Sequence, residues 1–330
     1  MFILDANKPK ELANYLQKQH WLGLDETIVS LTKPGEGNMN YVLRVNTGKR
    51  TFIVKQSRGY VEKYPQVPAP ANRVITEGAF YKKVSEENKV QQYMPKLIGL
   101  DEINNVIILE DLGLTNDFTV LYGMQYQLEL EQLKGLVAYL NGLHNSFQKT
   151  VVDDELANME LRRLNHEHIF HYPFLEDNGF DLNTVQDGLK ELALPYVKDR
   201  HLKQKIEVLG SLYLSKGKYL LHGDFYPGSW LKTETGIKII DPEFCFYGSR
   251  EFDLGVLLAH LYLTQQKGNL ISGVISEYKA YSELNLEILN SFAGIEIMRR
   301  LIGLAQLPLK IDLKTKKQLL EFAYQLILNK

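Results

Sequence analysis

The chain has a single cysteine, Cys245, among its 330 residues. One cysteine cannot close an internal disulfide or build a thiolate cluster, and its rarity suits a reducing cytoplasmic location. On its own terms Cys245 reads as a small packed residue rather than a nucleophile. Long apolar runs are also missing. The best stretch, Phe252 to Leu263, is too short for a membrane span and carries His260. The opening residues Met1-Phe2-Ile3-Leu4-Asp5 lack the basic segment that precedes the apolar core of a secretory leader. Net charge is small: 38 Lys and Arg against 40 Asp and Glu give −2, with the signs interleaved. That balance argues against a nucleic-acid partner. Internal repeats and low-complexity segments are absent. What is present is 45% hydrophobic and 24% charged, the composition of a folded globular chain long enough for one large or two modest domains.

Periodicity divides the chain. Pro9 to Trp21 predicts a helix with proline in its first turn. Thr27 to Thr32, Asn40 to Val45 and Thr51 to Lys55 are rich in β-branched and aromatic residues, and Asn46-Thr47-Gly48 supplies a hairpin turn. Arg73 to Val84 reads as helix, and Leu97 to Leu100 with Val106 to Leu109 as a second strand pair. From about Tyr126 the apolar spacing becomes helical: Leu128, Leu133, Leu136, Val137, Leu140 and Leu143. Further helices are expected at 154–164, 184–193, 200–215, 251–267, 270–283, 286–306 and 314–329. The change falls near Glu110-Asp111-Leu112-Gly113. Two domains follow: residues 1–110 as a small antiparallel-sheet lobe and 111–330 as a mainly helical lobe, with a cleft between them suited to a ligand.

The chemistry concentrates in two acidic motifs. His222-Gly223-Asp224 follows the apolar run Tyr219-Leu220-Leu221, and Asp241-Pro242-Glu243 begins 17 residues after Asp224, at the end of another run. Acids at adjacent strand ends can meet over one metal-bound phosphate, Asp224 orienting a hydroxyl nucleophile and Asp241, with Glu243, binding magnesium. The alternative is that they cap turns. His222 reads as a structural hydrogen-bonder and Asp253 as a brace from the next helix. Lys33 to Asn40 is a glycine-bearing loop between strands. Gly35 and Gly37 let backbone amides approach phosphate oxygens, although an ordinary hairpin turn has the same composition, and no Gly-Lys-Ser/Thr follows. Lys55 ends an apolar strand and can reach phosphates; a solvated strand-end lysine is the alternative. Glu77, on the following helix, can hold Lys55 or lie in solvent. Arg299-Arg300 interrupts an apolar helix, either with one arginine facing inward or as a charged outer stripe.

Taken together, these residues resemble the aminoglycoside phosphotransferase and choline kinase superfamily, whose fold is similar to that of protein kinases. Glycine loop, strand lysine, helix glutamate, hinge and two aspartates occur in the family order from about Thr27 to Gly303. Within it, four stretches resemble the methylthioribose kinases: Gly35 to Val42; Val54-Lys55-Gln56 with Tyr60-Val61; the two acidic motifs with Gly228-Ser229 and Phe246-Tyr247-Gly248; and Arg299 to Ala305. The resemblance implies an α+β, bilobal protein-kinase-like fold and a kinase using ATP and Mg²⁺ on an alcohol, with 5-methylthioribose as the leading substrate. It implies Asp224 as catalytic base and Asp241, Glu243 and Ser229 around the metal. Ser229 stands where most of the superfamily has asparagine. Gly35, Gly37, Asn38, Asn40, Lys55 and Glu77 would serve the nucleotide phosphates, backbone groups from Glu110 to Leu112 the adenine, and Arg299 and Arg300 the sugar. A homodimer is implied, with no nucleic-acid or membrane partner. The rival readings are an aminoglycoside, choline or homoserine phosphotransferase, with Glu283, Glu287 and Glu296 available to an amine, and a nucleotide-binding module without catalysis.

Overall fold

The computed structural model describes residues 2–35, 37, 39–279 and 282–329. Backbone contacts group it into two units: Met1–Thr115 with Lys238–Cys245, and Asn116–Ile237 with Phe246–Lys330. The sequence division at 110/111 thus lies five residues from the first of these boundaries, and residues 238–245 group with the first unit.

The first unit is built on the antiparallel sheet β1 (Ser30–Thr32), β2 (Tyr41–Asn46), β3 (Thr51–Gln56), β6 (Leu97–Asp101) and β7 (Val106–Glu110), in the spatial order β1-β2-β3-β7-β6. Strand pleating turns alternate residues to opposite faces. Phe52 and Val54 of β3 therefore join Leu43, Val45, Val106 and Ile108 in a core with Leu12, Tyr15 and Leu16 of α1 (Pro9–Lys18), while Lys55 points the other way. A short hairpin, β4 (Tyr60–Val61) and β5 (Tyr64–Pro68), precedes α2 (Arg73–Val84) and α3 (Asn88–Gln91). The hairpin escaped the sequence reading because β5 is mostly exposed and lacks apolar alternation. Gly78 lets α2 lie close on β6: a Cβ there would come within 2.8 Å of both Leu100 methyls.

The second unit is mostly helical. Its first elements are β8 (Asn116–Asp117), α4 (Leu130–Ser146), α5 (Met159–His166), α6 (Leu189–Lys198) and α7 (Arg200–Leu214). Then follow β9 (Tyr219–Leu221), β10 (Trp230–Thr233), β11 (Gly236–Ile239), which carries the chain back into the first unit, and β12 (Phe246–Gly248). Four helices close the chain: α8 (Glu251–Leu263), α9 (Gly268–Lys279), α10 (Leu286–Ile302) and α11 (Leu313–Leu328). The helix expected over 184–193 lies instead at Leu189–Lys198, with Pro195 inside it. α4 starts on a reciprocal cap, Glu129 and Gln132 each accepting from the other's backbone N–H. α8 is buried on nearly every side, as its continuous apolar run predicts, and α10 packs between it and α11. Among the described residues no helix is long and apolar enough to cross a membrane.

Candidate active site

In the first unit Lys55 stands mid-sheet, in register with Val42 of β2 and Ile107 of β7. The residue is 3% exposed, so a solvated strand-end lysine is excluded. Its Nζ lies 2.8 Å from Glu77 Oε2 and 2.9 Å from Asp241 Oδ1. Burial alone would lower the lysine's pKa; the carboxylates of Asp241, Glu77 and Glu243 outweigh it and hold the pKa above its usual value. Glu77 is fully buried rather than a solvated helix carboxylate. Burial pushes its carboxyl up to about 7, against the opposing pull of Lys55.

Asp241 adopts left-handed backbone angles, φ 61° and ψ 52°, an uncommon conformation for a residue with a side chain. Its side chain is 49% exposed with one oxygen on Lys55, so it is placed to meet a ligand as well as the lysine. Glu243, buried two residues on, accepts at Oε2 from Asn40 Nδ2 (2.8 Å) and pairs with Arg73 Nε (3.4 Å). Arg73 Nη2 in turn donates to Asn40 Oδ1 (2.9 Å) and to the Met39 carbonyl (2.7 Å), tying the glycine loop to α2. Gly35, Gly37 and Asn40 line a small pocket with Lys33, Tyr41, Val42 and Glu62. Asn38 lies outside the described residues. The Glu110 N–H is engaged by the Lys96 carbonyl at 2.9 Å. Leu112 is half-buried beyond β7, next to Asp111, which Arg44 holds at 2.8 Å.

In the second unit the turn after β9 is shaped by Gly223, whose φ of +84° is costly for any residue with a Cβ. Asp253 of α8 accepts the His222 N–H at Oδ2 (2.8 Å) and the Gly223 N–H at Oδ1 (3.0 Å), so it does brace this loop. His144 Nε2 lies 3.2 Å from Asp253 Oδ2, and its Nδ1 meets the Tyr278 hydroxyl at 2.8 Å. The Ser229 hydroxyl donates to the Asp224 carbonyl at 3.0 Å. Asp224 Oδ1 lies 3.9 Å from Arg300 Nη2. Arg299 and Arg300 are 9% and 7% exposed, so they are not an outer stripe. Both pair with Glu296: Arg299 Nη1 with Oε2 at 2.9 Å and Arg300 Nε with Oε1 at 2.6 Å. Burial would lower the Arg300 pKa, but Glu296 and Asp224 hold it above its usual value. Burial would raise that of Glu296, but Arg299 and Arg300 hold it well below the carboxylate range.

The first unit thus gathers Asn40, Lys55, Glu77, Asp241 and Glu243, and the second gathers Asp224, Ser229, Arg299 and Arg300. Sequence reasoning missed Arg73, Tyr122 and His260, and treated Glu296 as a group for a ligand amine rather than the arginines' partner. Helical spacing was the available signal for Glu296, which lies three and four residues before the arginines. Among the described residues no three His, Cys, Asp or Glu side chains form a metal cage. Mg²⁺ asks for less, one or two carboxylates with phosphate and water completing the shell, and the half-exposed Asp241 beside a fixed lysine fits that demand.

A family model described as "APH: Phosphotransferase enzyme family" matches residues 30–286. "Methylthioribose kinase" of Bacillus cereus (strain AH820) is 26% identical over 340 residues, covering 89% of this chain and 85% of that protein. Among solved structures, LicA in complex with AMP has a TM-score of 0.55 at 13% identity, covering 98% of this chain and 100% of that one. Amicoumacin kinase hAmiN, in complex with AMP-PNP, Ca²⁺ and Ami, also has 0.55, at 14% identity and 96% and 93% coverage. These structural likenesses show a kinase-like α+β fold.

Proposed function

Since this chain belongs to the APH phosphotransferase enzyme family, we propose that it transfers the terminal phosphoryl group of ATP to a hydroxyl of 5-methylthioribose. A small-molecule kinase acting on an alcohol follows from the family; the sugar, the nucleotide and the residue roles are the proposal. The observation that carries it is the buried Lys55 ammonium, fixed between Glu77 and the half-exposed Asp241. An apolar strand buries a lysine there only when carboxylates compensate it, and an ammonium so fixed suits the oxygens of a polyphosphate.

Bound Mg-ATP supplies the phosphoryl donor and a divalent charge. Lys55 holds phosphate oxygens and Glu77 holds Lys55. Asp241 takes the cation, with Glu243 and Ser229 as its further candidate ligands. Gly35, Gly37, Asn38 and Asn40 serve the phosphates, and backbone groups of Glu110 and Leu112 the adenine. Asp224 orients the acceptor hydroxyl and takes its proton, and Arg299 and Arg300 donate to the sugar oxygens. Catalysis of this kind is positioning and charge neutralisation, since phosphoryl transfer asks little covalent work of the protein. A sugar rather than an amine is supported by the engagement of two of the three acids an amine could use: Glu296 is bound to both arginines, and Glu287 to Lys205 at 2.8 Å. A cytoplasmic location, supported by the lone buried Cys245, and a homodimer, checked by sedimentation, complete the reading.

A panel of 5-methylthioribose, choline, an aminoglycoside and homoserine, each with labelled ATP and Mg²⁺, tests it. The sugar is expected to exceed the others by about 100-fold or more in kcat/KM. Product from an amine alone overturns the substrate. ATP binding without transfer to any alcohol favours the non-catalytic module.

A further inference from the structure

The paired arginines rest on a buried polar chain with no part in the mechanism above. Glu296 is 2% exposed, and both of its oxygens are engaged. Beyond the two guanidiniums, its Oε1 meets His260 Nε2 at 3.2 Å. His260 belongs to α8 and is fully buried; its Nδ1 meets the hydroxyl of Tyr122, itself 1% exposed, at 3.0 Å. These partners assign the tautomer. Nε2 faces a carboxylate and must carry the proton, so Nδ1 accepts from the tyrosine. Burial lowers the His260 pKa to about 4, so the ring stays neutral and adds no third positive charge beside the arginines.

The geometry has a directional consequence. Arg300 spends its Nε edge on Glu296, which turns Nη2 toward Asp224 at 3.9 Å and lays the guanidinium over the Tyr226 ring, 5.2 Å from its centroid. Adjacent arginines on a helix diverge by about 100° and repel one another. Glu296, one turn earlier, is the shared anion that draws both to one side.

We propose that Glu296 is a positioning residue that sets the direction and spacing of Arg299 and Arg300 for the acceptor, and that the Tyr122–His260 pair braces its carboxylate. The inference rests on the reading that these arginines take the sugar. In Glu296→Gln the volume is kept, but an amide NH₂ replaces one acceptor and faces a guanidinium, so one arginine loses its anchor.

The test compares E296Q, H260L, H260Q and Y122F with R300A, using 5-methylthioribose and ATP. For E296Q, KM for the sugar should rise on the order of 30-fold while KM for ATP stays within about twofold. H260L should raise it about tenfold and H260Q less, because glutamine still donates to Glu296 whereas leucine only fills space. A purely packing role predicts the reverse order for that pair, which decides the matter even if E296Q does not fold. A second arm needs no substrate: in protein labelled at the arginine guanidinium nitrogens, the Arg300 Nε–H resonance, identified by its loss in R300A, should exchange slowly in wild type and H260Q and quickly in H260L. An unchanged resonance in H260L with wild-type KM in E296Q overturns the positioning role. Wild-type sugar KM in R300A, with the resonance changes as expected, overturns the substrate reading and leaves the positioning intact.

Discussion

Removing the Lys55 ammonium should expose the electrostatic debt carried by Glu77. In Lys55→Met the fully buried Glu77 loses its ion pair at 2.8 Å, while half-exposed Asp241 can turn to water. Breaking a buried pair from one side typically costs about 3–5 kcal/mol, because the remaining charge has no compensation. Glu77 has an escape: it can take a proton. Its carboxyl, ordinarily at 4.5, already sits at about 7 in the folded protein, and without Lys55 it rises further. Relative to wild type the penalty is therefore capped by the cost of protonating Glu77 from its folded value, about 1 kcal/mol near pH 7.5 and close to zero near pH 5.5, where it is already protonated. The sign follows from proton uptake. A carboxyl whose folded pKa is raised binds a proton on folding, so its contribution is full below the unfolded value and declines as pH rises. K55M should therefore lose more stability relative to wild type at the higher pH. Two units need not unfold together, so the assay is native-state hydrogen exchange on peptides spanning β3 and α2, at both pH values, with denaturant unfolding alongside. Adding Glu77→Gln should restore most of the loss, since two neutral partners leave no buried charge. An equal loss at both pH values, or no recovery in the double variant, refutes the reasoning.

Other outcomes can be checked alongside. Asp224→Asn should cut turnover by roughly 10²–10⁴-fold with the ATP requirement little changed; wild-type turnover excludes Asp224 from the reaction. His260, lowered from 6.5 to about 4 in the folded state, contributes stability that is present above its unfolded value and lost as pH falls toward 4. That loss is about 3 kcal/mol at most, and acid titration of H260Q should show a shallower decline than wild type. Gly78→Ala places a methyl 2.8 Å from Leu100, which should cost about 1–3 kcal/mol and raise the KM for ATP by displacing α2 and with it Glu77; unchanged ATP kinetics show that α2 accommodates the methyl without moving the ion pair.

The parts of the fold that were legible were those with local signatures. Strand alternation around Phe52 and Val54, and helical spacing from Leu128 to Leu143, reflect which face meets the core, and both elements are present. The hairpin at 60–68 was not legible because an exposed strand carries no hydrophobic period. The site's acids were visible as motifs, but the groups that hold them were not. Arg73 reaches Asn40 across 33 residues, and Tyr122 reaches His260 across 138. No window of sequence contains both members of such a pair. Spacing alone favours Arg299 and Arg300 as a charged outer stripe, and only the burial of α10 along nearly its whole length excludes that reading.

The order and type of residues alone determined the reaction class: a strand lysine, a helix glutamate and two aspartate motifs, in sequence, name a phosphotransferase. Tertiary structure decided the electrostatics. It set Lys55 against Glu77 and Asp241, closed the anion of Glu296 around two arginines, and left His260 neutral. These are consequences of burial and long-range proximity, since the free energy of a charge depends on how much water it loses and which opposite charge replaces that water.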